Sequence, residues 1–358
     1  MSERPDVFIE GAAMEISWGD ARRNLMDLIF DTVRAAVDDA GGSFDGIDSV
    51  VLAAHDLVDG RSLSSMVTAP AAGAYLRDEI RYSDDSAGAL AAGITRIESG
   101  ESERTIVATW GRASEHDVDQ FSRTLFDPVS TGGLGLEELH ISAMNAQKWR
   151  QNGGSDADVT RALARRADAA RSNPRALAKG GKRSNASWPL EEGHLPLWAD
   201  MVSAVVLSGK PNALKLRGLG QSSEAYWPGD REMAAAASMQ QAAERALAEA
   251  GLSVSEIDLF ELDGMTLYDE AIAFEAAGLV PRGGGMAALA DDPRCNPSGG
   301  SLAGYCPPAM GLTRVVEVIH QLRGTAGAIQ QGKPRLAMAS GASLMAAQTH
   351  TVVLLEAV

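Results

Sequence analysis

The chain repeats itself, and no other feature limits its fold as strongly. Val7-Phe8-Ile9 reads as an apolar strand ending at Gly11, and a helical pattern runs over Ala21–Ala40 before Gly41-Gly42 stops it. Ile47-Asp48 then leads into a second strand over Ser49–Ala54. The order returns later: Leu214-Lys215-Leu216 runs into Gly218, a helix covers Arg231–Ala250, Gly251 stops it, and Ile257-Asp258 leads into Leu259–Leu262. Asp48 and Asp258 stand 210 residues apart. Gly93-Ile94-Thr95-Arg96-Ile97 and Gly311-Leu312-Thr313-Arg314-Val315 stand 218 apart, each in a small-residue helix followed by a buried-type strand, Thr105–Gly111 and Arg335–Gly341. Four coincidences in one order indicate an internal duplication.

Each half therefore predicts strand, helix, strand, helix, strand. Apolar strands joined through helices give mixed or parallel sheets covered by helices. The expectation is an α/β fold of two face-to-face βαβαβ halves, layered α/β/α/β/α. Its parts are an N-terminal half over 1–111, an inserted loop region over 112–203 and a C-terminal half over 204–358. Long insertions between rigid elements usually carry ligand contacts.

Composition narrows the function classes. A formal net charge of −16 repels a nucleic-acid backbone, and no apolar run approaches the length of a membrane span. The basic run over 161–183 reads first as a solvated helix face. Its alternative is a set of phosphate contacts from Arg161, Arg165, Arg166, Arg171 and Lys182. Two cysteines and six scattered histidines give no zinc-ligand spacing, so no metal is expected. The N-terminal residues show no leader pattern, and a cytoplasmic protein is the expectation.

The richest local stretch is CNPSGGSLAGYCPPAMG over 295–311. Together with DLFELDGMTLYDEAIAFEAAGL at 258–279, NPSGG at 296–300 and the duplicated halves, it resembles the thiolase superfamily in its sterol-carrier-protein-associated branch. The resemblance covers nearly the whole chain and implies the thiolase fold. It also implies four catalytic positions, and all four are changed here. The nucleophilic Cys of a Cys-Ala-Ser-Gly motif, held at a helix N-terminus that lowers a thiol's pKa, aligns with Asp85 in Asp85-Ser86-Ala87-Gly88. The His of Gly-His-Pro aligns with Tyr305 or Cys306 in Gly304-Tyr305-Cys306-Pro307-Pro308. The proton-shuttling Cys of a Cys-x-Gly loop falls in Met338-Ala339-Ser340-Gly341, and a His or Asn before an acidic turn becomes Asp263.

The resemblance implies a coenzyme A thioester as ligand, with CoA present only as part of the substrate and with Asn296, Gly299, Gly300 and Gly341 as its contacts. Three activities compete. In the first, the scaffold cleaves β-hydroxyacyl-CoA esters by retro-aldol chemistry, which needs no covalent acyl enzyme, together with an OB-fold/zinc-ribbon partner. Tyr305, Asp263, Asp85 and Tyr82 supply its acid/base groups. In the second, the chain is a non-catalytic subunit supporting a catalytic thiolase or acetyltransferase partner. In the third, ordinary thiolase or acyltransferase chemistry persists, either with Asp85 or Ser86 replacing the thiolate or with Cys and His lent by a paralogous subunit. Tyr305 reads either as a proton relay or as a residue closing its loop. Cys306 reads as a displaced nucleophile or a small packed residue, and Cys295 as structural. A homodimer through the first half, including Thr105–Trp110, is expected.

Overall fold

The computed structural model describes residues 5–20, 22–59, 64–127, 129–225 and 227–358. Ala21, where the repeat predicts the first helix to begin, lies outside them. Among the described residues nine strands form: β1 (Phe8–Ser17), β2 (Ser49–Ala53), β3 (Asp78–Tyr82), β4 (Arg104–Arg112), β5 (Asp200–Ser208), β6 (Leu214–Ser223), β7 (Leu259–Glu261), β8 (Leu336–Ala342) and β9 (Thr349–Ala357). Their order is β3-β2-β4-β5-β1-β6-β9-β8-β7. Outward from the β1·β6 junction, β1-β5-β4-β2 answers β6-β9-β8-β7, so the repeat in sequence is a repeat in space. β3 extends the first half alone.

At the junction only Phe8 and Ile9 pair with Lys215 and Leu214. The half-sheets therefore share a short seam and otherwise sandwich two helices, Ser86–Glu98 and Met310–Arg323. One core layer joins Leu90, Ile94, Val315 and Ile319 of these helices to Val51, Val107, Ala337 and Val353 of both half-sheets. Two outer layers mirror each other. Leu28, Ile29 and Val33 of the helix Leu25–Asp39 cover Val50, Ile106 and Val206. Met239, Ala242 and Ala246 of the helix Ala237–Ala250 pack with Phe260, Met338 and Val352. These are the α/β/α/β/α layers of the thiolase fold.

Several expected ends move. β1 and β6 run on through Gly11 and Gly218, where the register shifts between Ile9 and Gly11 and between Leu216 and Gly218. The glycines mark bulges, not strand ends, because the outer helices press on the strands there. A Cβ at Gly11 would lie 2.2 Å from the carbonyl oxygen of Ala36, and one at Gly218 would lie 2.2 Å from that of Ala246. Backbone cannot yield as a side chain can. Gly11→Ala is therefore expected to lower unfolding free energy by about 2 kcal/mol or more, read from urea denaturation. The helices begin at Leu25 and Ala237, later than the pattern predicts. At the first, Asn24 caps the helix by accepting from the Asp27 N–H at 3.0 Å.

The segment between β4 and β5 roofs the second half. Its helices Glu138–Gln151 and Asp156–Ser172 dock on the helices Leu267–Ala276 and Gly285–Asp291. Trp149 Nε1 donates to Glu275 at 2.7 Å, and Arg150 Nε donates to the Tyr268 hydroxyl at 3.0 Å. No helix among the described residues is long and apolar enough to cross a membrane.

Candidate functional site

A cleft opens between the insertion helix Glu138–Gln151, the turn after β7 and the loop joining β8 to β9. Tyr305, Asp263, Asp269, Met265, Ile272 and His350 are among its lining residues. Two of the five expected catalytic positions, Tyr305 and Asp263, meet here.

Asp263 is set by its neighbours in sequence and space. Its N–H donates to Ser340 Oγ at 3.0 Å, while its carboxylate accepts from Gly264 N at 2.8 Å and from Ala342 N at 3.1 Å. Gly264 is required because a Cβ there would lie 2.5 Å from Glu270 N, where the turn closes on the helix. Asn296 fixes the preceding residue as a strand would: its side chain accepts from Leu262 N at 2.8 Å and donates to Leu262 O at 3.0 Å. Burial pushes the Asp263 carboxyl up to about 6, against the pull of Arg314 and the two backbone donors. A carboxylate so placed ionises close to neutrality, where a general base works best.

Tyr305 is 8% exposed. Its ring meets the edge of Trp198 at a centroid distance of 5.1 Å, and its carbonyl accepts from Ala199 N at 3.0 Å. Burial, then the charges of Asp263, Glu138 and Asp269, hold the phenol well above its ordinary pKa. It is a proton donor at neutral pH and not a base.

The other expected positions lie elsewhere. Asp85 caps the helix Ser86–Glu98, accepting from Ala87 N at 3.0 Å and Gly88 N at 3.2 Å. It does not line the cleft, and it sits against Gly341 and Gly311, where a Cβ would come within 2.4 Å of its carboxyl oxygens. Burial, then Asp263 and Asp84, keep its carboxyl well above the usual range. A helix end that in a thiol enzyme would activate sulfur holds a capping carboxyl instead. Ser86 accepts from Leu312 N at 2.8 Å and pins the two central helices together. Cys306 is fully buried and turned to β4, its Sγ filling the space where a Cβ on Gly111 would stand. Between the two residues left open by the alignment, Tyr305 faces the cleft. Tyr82 is hydrogen-bonded to Gln221 and packs over Gly88, outside the cleft.

Neither Cys295 nor Cys306 forms a disulfide among the described residues, and both are buried. Burial, then Asp292, push the Cys295 thiol up to about 12. Native protein is accordingly expected to release almost no thionitrobenzoate from Ellman's reagent, and two equivalents after denaturation.

The small-residue loop is structural. Gly299 packs on the backbone of Ala170 and Gly300 on Glu270, each at positive φ. Glu261 accepts from Ser298 N at 2.9 Å and Ser298 Oγ at 2.7 Å, while Arg314 bridges Glu261 at 3.0 Å and Ser298 Oγ at 2.7 Å. Of the four residues expected to contact CoA, Asn296, Gly299 and Gly300 are thus held in the scaffold, and Gly341 backs onto Asp85. The basic residues offered as alternative phosphate contacts have partners of their own. Arg166 is buried against Glu270 and Ser301, and Arg165 donates to the carbonyls of Leu289 and Cys295. Arg161 pairs with Asp158 and Asp291, Arg171 with Asp168, and Lys182 with Asp117 at 3.7 Å. Among the described residues no group of three or more His, Cys, Asp or Glu could hold a metal ion.

The duplicated halves and the central helix pair they sandwich define a thiolase fold. Solved structures agree: an Ltp2-ChsH2(DUF35) aldolase superposes with a TM-score of 0.81 at 18% identity, covering 99% of this chain and 98% of that one. A monomeric SCP2-thiolase like protein type 1 from Mycobacterium smegmatis gives 0.73 at 17% identity, covering 99% and 78%. An acetyl-CoA acetyltransferase from Syntrophomonas wolfei gives 0.70 at 15%, covering 99% and 100%. Residues 220–356 match the family described as thiolase C-terminal domain-like. Sterol carrier protein 2 from Oryctolagus cuniculus is 33% identical over 121 residues, which is 32% of this chain and 22% of that protein. The Bos taurus protein is 36% identical over 107 residues, 28% and 20% respectively. The chain spans about a fifth of the length of these curated relatives. Over residues 220–356 the chain is similar to the thiolase C-terminal domain-like family, and a stretch of it is similar to sterol carrier protein 2.

Proposed function

We propose that this protein is a carbon–carbon lyase that cleaves β-hydroxyacyl-CoA esters by a retro-aldol reaction. The observation that carries the reading is the pairing in one cleft of Asp263, ionising near neutrality, with Tyr305, held as a neutral phenol. No thiol or imidazole stands at the positions where thiolase chemistry needs them. Asp263 takes the proton of the β-hydroxyl, the bond between the α and β carbons breaks, and an aldehyde or ketone leaves. The electron pair passes to the thioester as an enolate, whose oxygen accepts a hydrogen bond from Tyr305. The proton on Asp263 returns to the α carbon, so atoms and charge balance and the acetyl thioester is released. The side chains contribute only proton transfers and a hydrogen bond, which suits a site without a nucleophile.

The aldolase among the structural neighbours supports this reading, because its fold is matched over nearly the whole of both chains. The name of that aldolase pairs Ltp2 with ChsH2(DUF35), and we infer that this chain works with a partner of its own, a small OB-fold/zinc-ribbon protein. The test mixes the protein, with and without such a partner, with 3-hydroxybutyryl-CoA and follows acetaldehyde. Formation of acetaldehyde supports the lyase. A stable complex that cleaves nothing supports the second reading, a non-catalytic subunit, which the structural part played by Asp85, Ser86 and Cys306 favours.

A further inference from the structure

One wall of the cleft carries an imidazole that the reaction above does not use. His350 stands opposite Ala342 in the β8–β9 ladder. Ala342 is the residue whose N–H holds Asp263 at 3.1 Å. Residues directly opposed in an antiparallel ladder have Cα atoms about 4.5–5.5 Å apart, so His350 and Asp263 belong to one patch of wall. Both line the cleft.

The tautomer of this imidazole is fixed from behind. Nδ1 lies 2.8 Å from Ser238 Oγ, which in turn lies 2.8 Å from Glu224 Oε1. A carboxylate can only accept, so the serine proton goes to Glu224 and the serine oxygen receives the Nδ1 proton. Nε2 is left with a lone pair and no proton. Burial, then the guanidinium of Arg231, push His350 down to about 4, so the ring is neutral at physiological pH. No hydrogen bond to Nε2 forms among the described residues, and it is not one of the interior atoms sealed without a partner. Other acceptors in the cleft are engaged: both oxygens of Glu138 accept from Ala346 N, and Asp269 accepts from Ser142, Asn145 and Thr266.

A largely buried acceptor in a cleft that Met233, Ile272 and Leu344 also line needs a donor when water is displaced. Arg231 beside it disfavours a cation, and Glu224 behind it disfavours an anion, which leaves a neutral donor. Resting on the acyl-ester reading above, we propose that His350 Nε2 receives a hydroxyl of the acyl chain other than the one that reacts, making the cleft selective for acyl groups with a further hydroxyl. Ser238 and Glu224 act as positioning residues that hold the ring in the accepting tautomer.

The test is calorimetric binding of 3-hydroxyacyl-CoA esters of four to eight carbons, each with and without one further hydroxyl along the chain. One hydrogen bond gives the best-placed hydroxylated ester an expected advantage of about 3- to 10-fold over its deoxy partner. His350→Phe should erase that advantage while leaving the deoxy esters bound. His350→Gln, whose amide oxygen can accept, should restore part of it, and Ser238→Ala should weaken it. An advantage that survives in His350→Phe, or no advantage in the wild type for any chain length, overturns the inference while leaving the lyase reading intact. Failure of the folded wild type to bind any ester overturns the acyl-ester reading, and the inference with it.

Discussion

Tyr305→Phe is expected to lower kcat for cleavage of 3-hydroxybutyryl-CoA by about 10²- to 10³-fold, the cost of removing one donor aimed at a developing oxyanion. The substitution deletes one oxygen and leaves the ring on Trp198, so folding should be preserved and KM should move little. Steady-state kinetics separates the outcomes. A fall in kcat at nearly constant KM marks a group acting mainly in the transition state, whereas a rise in KM alone would mark Tyr305 as a binding residue. An unchanged rate would assign the phenol to loop closure, the other role its sequence context allowed.

Asp263→Asn is expected to cost about 10²- to 10⁴-fold in kcat/KM and to change the pH profile. In the wild type the rate should rise through about pH 6 as the carboxyl ionises. The variant should lose that rise, and a retained rise would move the titration to another group, such as Asp84, which burial also pushes up to about 6. Stability should move the other way. Because the folded-state pKa lies above the ordinary value of 3.8, the stability this group contributes is fully present below about pH 4 and is lost as pH rises through 6. From pH 4 to pH 7 the wild type should therefore lose up to about 3 kcal/mol relative to the variant, read from denaturant midpoints at each pH. A site that is less stable when charged is a common cost of catalysis.

The fold was legible because duplication writes itself twice. A helix stop at Gly41 and again at Gly251, and an Asp entering a strand at 48 and again at 258, survive in a single sequence. β5 and β9 were not read as strands of the repeat. Both are buried on two faces and run as Val-, Ala- and Leu-rich segments without alternation, the pattern that a buried helix also gives. The bulges at Gly11 and Gly218 were hidden for a different reason. A glycine kept for close helix approach looks, in sequence, like a glycine that ends a strand.

The site was half legible. Tyr305 and Asp263 came from motif positions, and the structure brings both to the cleft. Asp85 fell at a motif position too, but a carboxyl at a helix start caps the helix, a role that alignment with a Cys conceals. The basic residues between 161 and 183 gave no sign that carboxylates such as Glu270 and Asp291, far away in sequence, would meet them. His350 carried no local signal. Its role depends on Ser238 and Glu224, more than a hundred residues upstream, and only the strand pairing of β6, β9 and β8 brings it to Asp263.

The central claim is that the site breaks a carbon–carbon bond by proton transfer and forms no acyl enzyme. The most direct measurement is cleavage of 3-hydroxybutyryl-CoA in D₂O with the partner present, followed by mass spectrometry of both products and of the intact protein. The expected result is one acetaldehyde for each acetyl-CoA, deuterium incorporated once into the acetyl methyl group, and no acyl adduct on the chain. An acylated protein, together with acetyl-CoA formed from acetoacetyl-CoA and free CoA, would contradict it.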